Sequence, residues 1–258
     1  MRILSIDSSL GTQLLVASAP DVRSGGGESA PIVLDVLTTA RQDSPRRHAE
    51  SLGPMLAGAL AAPAVAAAPL DAVVAATGPA PFTGLRAGLV AARTVGRARG
   101  IPVYGVPSLD AVARAALDEL AGQDRARAQS ATVLVATDAR RKEVYAARYR
   151  ARGADDVERL GGFEVLAPGA LREREDAGAL PAADVVAGSG AAMYPELAAG
   201  RELLAPASGD AAAQVRLALA RLRRLPEAGP EVLREAGLDT RPLYLRRPDV
   251  QMPTGRAR

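Results

Sequence analysis

The residue types best suited to chemistry follow a short apolar segment near the start of the chain. Residues 2–6 lead directly into Asp7 and Ser8, with Gly11 and Thr12 close behind. Backbone N–H groups in such a turn can hold a phosphate group, and the carboxylate and hydroxyls could assist. The same composition also describes an ordinary hairpin whose aspartate caps the turn. At this point the sequence allows both a phosphate-binding loop and a structural turn.

The chain contains one histidine, His48, and no cysteine. The lack of cysteine excludes disulfides, thiolate zinc sites, iron–sulfur clusters and cysteine nucleophiles. A metal-binding pair of histidines four residues apart is also excluded, because Leu52 lies one helical turn after His48. No catalytic triad can be defined around His48, so we expect neither a bound metal nor peptidase activity. The favoured interpretation of His48 is a polar residue on a helix surface.

Positive charge is distributed thinly along the chain. The net charge is +3, and Lys142 is the only lysine among 32 basic residues. A genomic preference for arginine explains most of this pattern. Arg86, Arg140, Arg141 and Lys142 could contact phosphate, although single basic residues are more often simply solvated. Seven aromatic residues are too few to predict the stacking platform of an RNA-binding sheet.

An apolar strand that ends in aspartate occurs twice, about half a chain apart. The first is residues 2–7, and the second ends at Asp138. Each is followed by a short turn and a second apolar strand, at 14–17 and at 143–149. The pattern predicts two copies of one α/β unit.

A polar, charged segment at residues 123–130 lies between the two units. We therefore predict an N-terminal lobe over 1–122 and a C-terminal lobe over 131–258. No stretch of the sequence is typical of a membrane span or a signal peptide. The expected location is the cytoplasm.

Two helices are predicted in the first half, and both carry apolar residues on more than one face. The first is expected to begin at Asp43 or Ser44, and its stripe includes Leu52, Met55 and Leu56. Such a helix can pack on its own sheet and still offer a second apolar surface.

The second helix is predicted over residues 84–98. Gly84 and Gly88 are four residues apart, a spacing that permits a close approach between helices, and Leu85 and Leu89 flank them. One interpretation is packing on the protein's own sheet. The other, which we favour, is contact with a partner helix.

Four segments of the sequence resemble the TsaB (YeaZ) family. They read Met-Arg-Ile-Leu-Ser-Ile-Asp-Ser-Ser at 1–9, Gly-Pro-Ala-Pro-Phe-Thr-Gly-Leu-Arg-Ala-Gly at 78–88, Thr-Asp-Ala-Arg-Arg-Lys-Glu-Val-Tyr at 137–145 and Pro-Leu-Tyr-Leu-Arg at 242–246. They occur in the family's order and span the chain. The resemblance implies the duplicated α/β fold of the actin/Hsp70/sugar-kinase (ASKHA) type, with a mixed sheet and flanking helices in each lobe. That implication agrees with the repeat found in the residues themselves.

The resemblance implies a non-catalytic subunit that activates the TsaD transferase. With TsaD and the TsaE ATPase, such a subunit supports the transfer of a threonylcarbamoyl group to the tRNA adenosine next to the anticodon. The donor, threonylcarbamoyl-adenylate, comes from a separate synthase. The implied partners are a TsaD homologue, TsaE and, through the complex, tRNA. A chain without TsaD is expected to pair with a second copy of itself.

The resemblance also assigns roles to candidate residues. The first-lobe helices are implied to form a bundle with TsaD, through Leu52, Met55, Leu56, Leu85, Gly88 and Leu89. The turn after the first strand is implied to be a vestigial nucleotide loop, or one completed at the interface, made of Asp7, Ser8, Gly11 and Thr12. In related ATPases the equivalent aspartate and Gly/Thr hairpin face the phosphates and Mg²⁺. No cofactor is implied for the isolated chain, and ATP or ADP with Mg²⁺ is implied only for the assembled complex.

One loop departs from the family pattern. The family's Gly-Pro-Gly-Ser-Phe-Thr-Gly is Gly-Pro-Ala-Pro-Phe-Thr-Gly here, with Ala80 and Pro81 in place of glycine and serine. Proline removes a backbone donor, which argues against a phosphate cradle in this loop. The rival interpretation is an ATP-dependent kinase or ATPase that uses Asp7 and the loop 8–12. Nucleotide affinity of the isolated chain separates the two.

Overall fold

The computed structural model describes residues 1–22, 30–42, 48–225 and 229–246. Within these residues the strands are β1 (Arg2–Asp7), β2 (Thr12–Ser18), β3 (Asp35–Gln42), β4 (Ala72–Ala76), β5 (Val103–Val106), β6 (Val133–Asp138), β7 (Val144–Arg152), β8 (Asp156–Arg159), β9 (Glu164–Leu166), β10 (Val185–Ala187) and β11 (Glu202–Leu203). The helices are α1 (His48–Ala61), α2 (Pro63–Ala66), α3 (Phe82–Arg99), α4 (Ser108–Gln123), α5 (Arg125–Ser130), α6 (Pro168–Asp176), α7 (Ser189–Met193), α8 (Pro195–Ala198), α9 (Ala211–Arg223) and α10 (Pro230–Glu235).

The strands of the first half form one mixed sheet in the order β3-β2-β1-β4-β5. β1 pairs antiparallel with β2, where Asp7 lies opposite Gln13, and parallel with β4, where Ile6 lies opposite Ala75. β4 then pairs parallel with β5. β1 and β4 are buried along almost their whole length, which explains their near-continuous apolar sequences.

The second half builds the same sheet again. Its order is β11-β10-β6-β7-β8, and β9 also pairs with β7. β6 pairs antiparallel with β7 and parallel with β10, just as β1 does with β2 and β4. Asp7 and Asp138 are therefore equivalent residues, each at the end of the central strand of its sheet. The predicted mixed α/β fold with two copies of one unit is confirmed.

The two sheets share one layer of helices. α4, from the first half, packs on β6, β7 and β8 of the second sheet, whereas α9, from the second half, packs on β1, β4 and β5 of the first. The core between them includes Leu109, Leu117, Val215 and Leu219, each at most 1% exposed. Each of the two halves therefore contributes a helix to the other's core. The division at 1–122 and 131–258 stays a prediction.

The outer faces of both sheets are covered by other helices. α1 and α3 pack on the first sheet, where Leu52, Leu85 and Leu89 join Leu4 and Ile6 in one apolar cluster. α6, α7 and α8 cover the second sheet. Burying a leucine side chain contributes about 1.5–3 kcal/mol, so these contacts account for the attachment of α1 and α3.

The boundary segment contains the short helix α5. Asp124 caps its N-terminus, because Oδ1 accepts hydrogen bonds from the N–H groups of Ala126 (2.9 Å) and Arg127 (3.0 Å). Two predictions concern residues outside the described ranges. They are the start of α1 at Asp43 or Ser44 and the end of the second lobe at 247–258.

α3 is the longest of the described helices, with 18 residues, and its sequence includes four arginines. Neither α3 nor any other helix in the described part of the chain is long and apolar enough to cross a bilayer.

Candidate functional site

The turn after β1 is organised by the carboxylate of Asp7. Oδ1 accepts a hydrogen bond from the N–H of Ser9 at 2.7 Å and a second one from the Ser9 hydroxyl. The second copy repeats this turn, because Oδ1 of Asp138 accepts from the N–H of Arg140 at 2.8 Å. A carboxylate that closes a turn two residues later is the structural arrangement that the sequence left open as an alternative.

The other oxygen of Asp7 points into the protein. Asp7 is 2% exposed, and Oδ2 has no hydrogen-bond partner among the described residues. A Cβ atom added to Gly209 would lie 2.6 Å from this oxygen, so a second-half loop closes over it. Burial raises the pKa of the Asp7 carboxyl, against the lowering effect of the hydrogen bonds from Ser9.

Ser8 and Thr12 are used inside the fold. Ser8 Oγ donates to the carbonyl oxygen of Gly84 at 2.7 Å and accepts from the N–H of Gly88 at 3.1 Å. Thr12 is fully buried, and its Oγ1 lies 3.1 Å from Nδ1 of His48. Gly11 is half-buried in the same turn. The prediction of a surface position for His48 is wrong, since the side chain is 7% exposed beneath the β1–β2 turn.

Gly84 and Gly88 bring α3 against this turn. A Cβ atom at Gly84 would lie 2.6 Å from the carbonyl oxygen of Ser8 and 2.8 Å from Nε2 of His48. At Gly88 it would lie 2.2 Å from Ser8 Oγ. The spacing of these glycines was predicted to serve a partner helix. The structure corrects that interpretation, because both glycines serve a contact within the chain.

The turns of the two halves meet at a small cavity. Ser9 and Ser108 line one side, with their hydroxyl oxygens 2.7 Å apart, and Asp138 and Ser189 line the other. The cavity volume is about 20 Å³, roughly the space of one water molecule. Ligand pockets are usually larger than about 300 Å³. The space between these turns is therefore smaller than that of a usual ligand pocket.

Ala80 and Pro81, which depart from the family pattern, also line this cavity. Pro81 directly precedes α3, and no side chain caps the helix there. A serine at that position has the hydroxyl that caps helices, whereas proline has neither a hydroxyl nor an N–H group to offer an anion. The loop therefore has fewer phosphate-binding groups than the family sequence.

An open apolar groove, which we call the α1/α3 groove, lies between these two helices. Its volume is about 420 Å³, and it is lined by Leu52, Gly53, Leu56, Arg86, Ala87, Val90 and Ala91. Val90 is 62% exposed, the most exposed large apolar residue on either helix. An exposed apolar groove of this kind is a typical contact surface for a partner helix.

The predicted interface residues divide into two groups. Leu85, Gly88 and Leu89 are buried under α3, at 1–3% exposure for the two leucines, so their assignment to a partner surface is corrected. The reason is that this face of α3 packs on β1 and β4. Leu52 forms the floor of the α1/α3 groove, Leu56 is half-buried on its wall, and Met55 is half-buried against the core. A partner role for Leu52, Met55 and Leu56 stays a prediction.

No group of three or more acidic or histidine side chains that could hold a metal occurs among the described residues. Thr12 and His48 resemble a nucleophile–base pair at 3.1 Å. Both are buried, however, so a peptide substrate cannot reach the hydroxyl.

Sequence reasoning missed two contacts around this site. Gly209 lies against Asp7 from a loop about 200 residues away, and no local signal marks it. Tyr244, in one of the segments that carry the family resemblance, stacks on Phe82 at 4.2 Å between ring centroids. The sequence by itself assigns this residue no role.

A family model described as TsaD: tRNA N6-adenosine threonylcarbamoyltransferase matches residues 40–225 of the chain. An uncharacterized protein of Mycobacterium tuberculosis is 51% identical over 104 residues, which is 40% of this chain and 43% of that protein. An uncharacterized protein of Mycobacterium leprae is 46% identical over 123 residues, 48% of this chain and 29% of that protein. The matched part therefore spans less than half the length of these curated relatives.

Two solved structures from Pseudomonas aeruginosa have a similar fold. One, described as an uncharacterized protein with similarity to peptidase YeaZ, has a TM-score of 0.65 and 25% identity, and the match covers 95% of this chain and 99% of that one. The other, YeaZ, has a TM-score of 0.60 and 24% identity, with 84% and 91% coverage.

Proposed function

This chain belongs to the family of the tRNA N6-adenosine threonylcarbamoyltransferase TsaD, and we propose that it is a TsaB-type subunit that activates a TsaD partner. The YeaZ-like protein that shares the fold over nearly its whole length supports the TsaB assignment. In this role the chain contributes a binding surface, and TsaD carries out the transfer to the tRNA adenosine. Binding to one conformation of TsaD more tightly than to others shifts the population toward that conformation.

The closed turn at Asp7 carries the proposal of a non-catalytic role. The carboxylate oxygen that would face a ligand points at Gly209, and the neighbouring cavity holds about 20 Å³. Ser8 and Thr12 are engaged with α3 and His48. The residues of the predicted nucleotide loop therefore stabilise the fold. ATP or ADP with Mg²⁺ in the assembled complex would need to bind elsewhere or to open this turn.

The α1/α3 groove is the proposed contact for TsaD. Leu56 of α1 and Val90 of α3 both line it, together with Arg86. Apolar side chains exposed on two neighbouring helices gain stability when a further helix covers them. In the absence of TsaD, the same groove is the proposed contact for a second copy of the chain. TsaE and tRNA are then partners of the assembled complex.

The rival function, an ATP-dependent kinase or ATPase, draws on the paired turns at Asp7 and Asp138. Two matched turns at the ends of central strands are the arrangement expected of paired phosphate loops. The volume between them argues against that function. Titration of the isolated chain with ATP and Mg²⁺ tests it directly, and micromolar binding would favour the rival.

The proposed function is tested by reconstitution. Threonylcarbamoyl transfer to tRNA is measured in a mixture of the synthase, TsaD and TsaE, with and without this chain. Transfer that depends on adding the chain supports the activator role. Transfer at the same rate without it contradicts the proposal.

A further inference from the structure

The segment after α10 connects the two halves of the chain. The N–H of Gly105 donates to the carbonyl oxygen of Leu238, and the N–H of Leu243 donates to that of Thr77, both at 2.8 Å. At the end of the segment, Nη1 of Arg246 donates to the carbonyl oxygen of Ala139 at 3.0 Å. The segment thus runs from the first sheet to the turn after β6.

This segment places an aromatic stack at the start of α3. The rings of Phe82 and Tyr244 are 4.2 Å apart and within 16° of parallel. The guanidinium of Arg86 lies 4.1 Å from the centre of the Phe82 ring, and its Nε donates to the Tyr244 hydroxyl at 2.9 Å. Tyr244 is 39% exposed and Arg86 is exposed. Stacked aromatic rings beside a guanidinium are a surface on which nucleotide bases stack.

A basic turn adjoins the other end of the segment. Arg140, Arg141 and Lys142 are all exposed, and all three have left-handed backbones, with φ of 62°, 56° and 61°. Residues other than glycine rarely adopt this conformation in succession. Asp138 and Glu143 hold the turn, since Asp138 accepts from the N–H of Arg140 and the N–H of Glu143 donates to the Arg140 carbonyl at 3.1 Å. The turn presents three consecutive cations to solvent.

We define the strap surface as Phe82, Arg86, Arg140, Arg141, Lys142, Tyr244 and Arg246. Five of these side chains are cationic, and among the described residues Asp138 pairs with Arg140 and Glu143 with Arg246. The excess positive charge attracts an anionic chain. The aromatic stack beside it favours a polynucleotide over an acidic peptide, because bases stack on rings and carboxylates do not.

We propose that the strap surface binds tRNA, with the basic turn on backbone phosphates and Tyr244 beneath a base. The inference rests on the proposed function, because Arg86 belongs to both the strap surface and the α1/α3 groove. The shared residue Arg86 places the strap surface next to the proposed TsaD contact. The tRNA then bridges the two subunits.

The test measures binding of a transcribed tRNA that reads an ANN codon, by fluorescence anisotropy at several salt concentrations. The chain is titrated alone and as a complex with TsaD. The variant Arg140→Gln/Arg141→Gln/Lys142→Gln is expected to raise the Kd about tenfold or more at low salt. The slope of log Kd against log salt is expected to fall by about 2–3, roughly one for each lost phosphate contact.

The matched control removes three charges elsewhere. Arg97, Arg99 and Arg125 are exposed, and their combined substitution by glutamine is expected to change the Kd less than about twofold. For the aromatic part, Tyr244→Ala is expected to weaken binding about fivefold or more without changing the salt slope, and Tyr244→Phe to retain wild-type binding.

Equal effects of the turn variant and the control variant would overturn the inference, as would unchanged binding in both. Displacement of the tRNA by polyglutamate, together with wild-type binding by Tyr244→Ala, would overturn the choice of RNA over an acidic peptide. Pairing with TsaD is measured separately by size-exclusion chromatography without tRNA. A chain that binds tRNA through the strap surface but neither pairs with nor stimulates TsaD contradicts the proposed function and supports this inference.

Discussion

Arg221 of α9 donates through Nη2 to Oδ2 of Asp110 in α4 at 2.7 Å, which joins a helix of the second half to a helix of the first. Nε of Arg221 also donates to Asp156 at 3.0 Å, and Asp110 accepts a further bond from the Tyr149 hydroxyl at 2.9 Å. Burial disfavours the charged guanidinium, but the two carboxylates outweigh it and raise the pKa of Arg221. The group therefore stays charged, and the two halves are held together by a buried polar network.

Removing Arg221 is expected to destabilise the whole chain. Arg221→Ala removes the cation that the buried carboxylates of Asp110 and Asp156 share, and leaves them only Arg159 at 3.7 Å and Arg224 among the described residues, so we expect a loss of about 3 kcal/mol. Denaturant unfolding measures the loss. The control is Arg97→Ala on the exposed side of α3, expected to change stability by less than about 0.5 kcal/mol. A loss below about 1 kcal/mol for Arg221→Ala would show that the network contributes little.

Asp7→Asn is expected to stabilise the protein at neutral pH. Because the folded-state pKa of Asp7 lies above its ordinary value of 3.8, the folded state binds the proton more tightly than the unfolded state does. The contribution of Asp7 to stability is therefore largest in acid and is lost as the pH rises through the folded-state pKa. Asparagine has no charge to desolvate, so we expect a gain of about 1–3 kcal/mol at neutral pH.

The gain should shrink as the pH is lowered toward the ordinary pKa of an aspartate, which thermal unfolding across this range measures. Asp138→Asn is the matched control, because it neutralises the equivalent residue, whose carboxylate pairs with Arg140 at 3.1 Å. That variant is expected to be no more stable than the wild type. A variant Asp7→Asn that is less stable than the wild type at neutral pH would contradict the prediction.

Gly88 and Gly58 make a matched pair for the packing of α3. Gly88→Ala puts a methyl group 2.2 Å from Ser8 Oγ, so we expect a loss of about 1–3 kcal/mol. Gly58 in α1 has nothing within 4 Å of an added Cβ. Gly58→Ala is therefore expected to raise the free energy of unfolding by about 0.5–1 kcal/mol, because alanine has the higher helix propensity. Both are measured by denaturant unfolding. Equal effects of the two substitutions would mean that the contact between α3 and Ser8 is not close.

If the α1/α3 groove is the contact for TsaD, a charge placed in the groove should weaken the stimulation of TsaD, whereas a charge elsewhere on the surface should not. Val90→Asp is expected to lower TsaD stimulation about tenfold or more, because a charge enters the proposed contact, while stability changes by less than about 0.5 kcal/mol. Met193→Asp, on the exposed part of α7, is the control and should leave stimulation unchanged. In contrast, Leu89→Asp places a charge in the core and should unfold the protein. Full stimulation by the Val90→Asp variant would remove the groove from the interface.

The repeated unit could be predicted because its signal is local. An apolar run that ends at Asp7 or Asp138 and continues, after a short turn, into a second apolar run defines two strands and their connection. The hydrogen bond observed in both turns matches one of the two alternatives that the turn residues after Asp7 allow, a hairpin whose aspartate caps the turn. These features depend on residues close together in the chain.

The solvent-facing side of α3 could not be predicted in the same way. Both faces of α3 carry apolar residues, Leu85 and Leu89 on one and Ala87 and Val90 on the other. Periodicity alone therefore does not show which face is buried. The structure decides it, because Gly88 must lie against Ser8 for α3 to pack on β1. That packing buries Leu85 and Leu89 and leaves Val90 exposed.

By itself, the sequence determined the two copies of the α/β unit and, in each, an apolar strand that ends in aspartate and continues through a short turn into a second strand. The closure of the turn at Asp7, the burial of His48 and the stacking of Tyr244 on Phe82 were decided only by the tertiary structure. Each of these depends on residues that are distant in sequence, such as Gly209 beside Asp7. Local patterns record which backbone conformation a segment prefers, whereas contacts between distant segments arise from how the layers pack and leave no periodic signal.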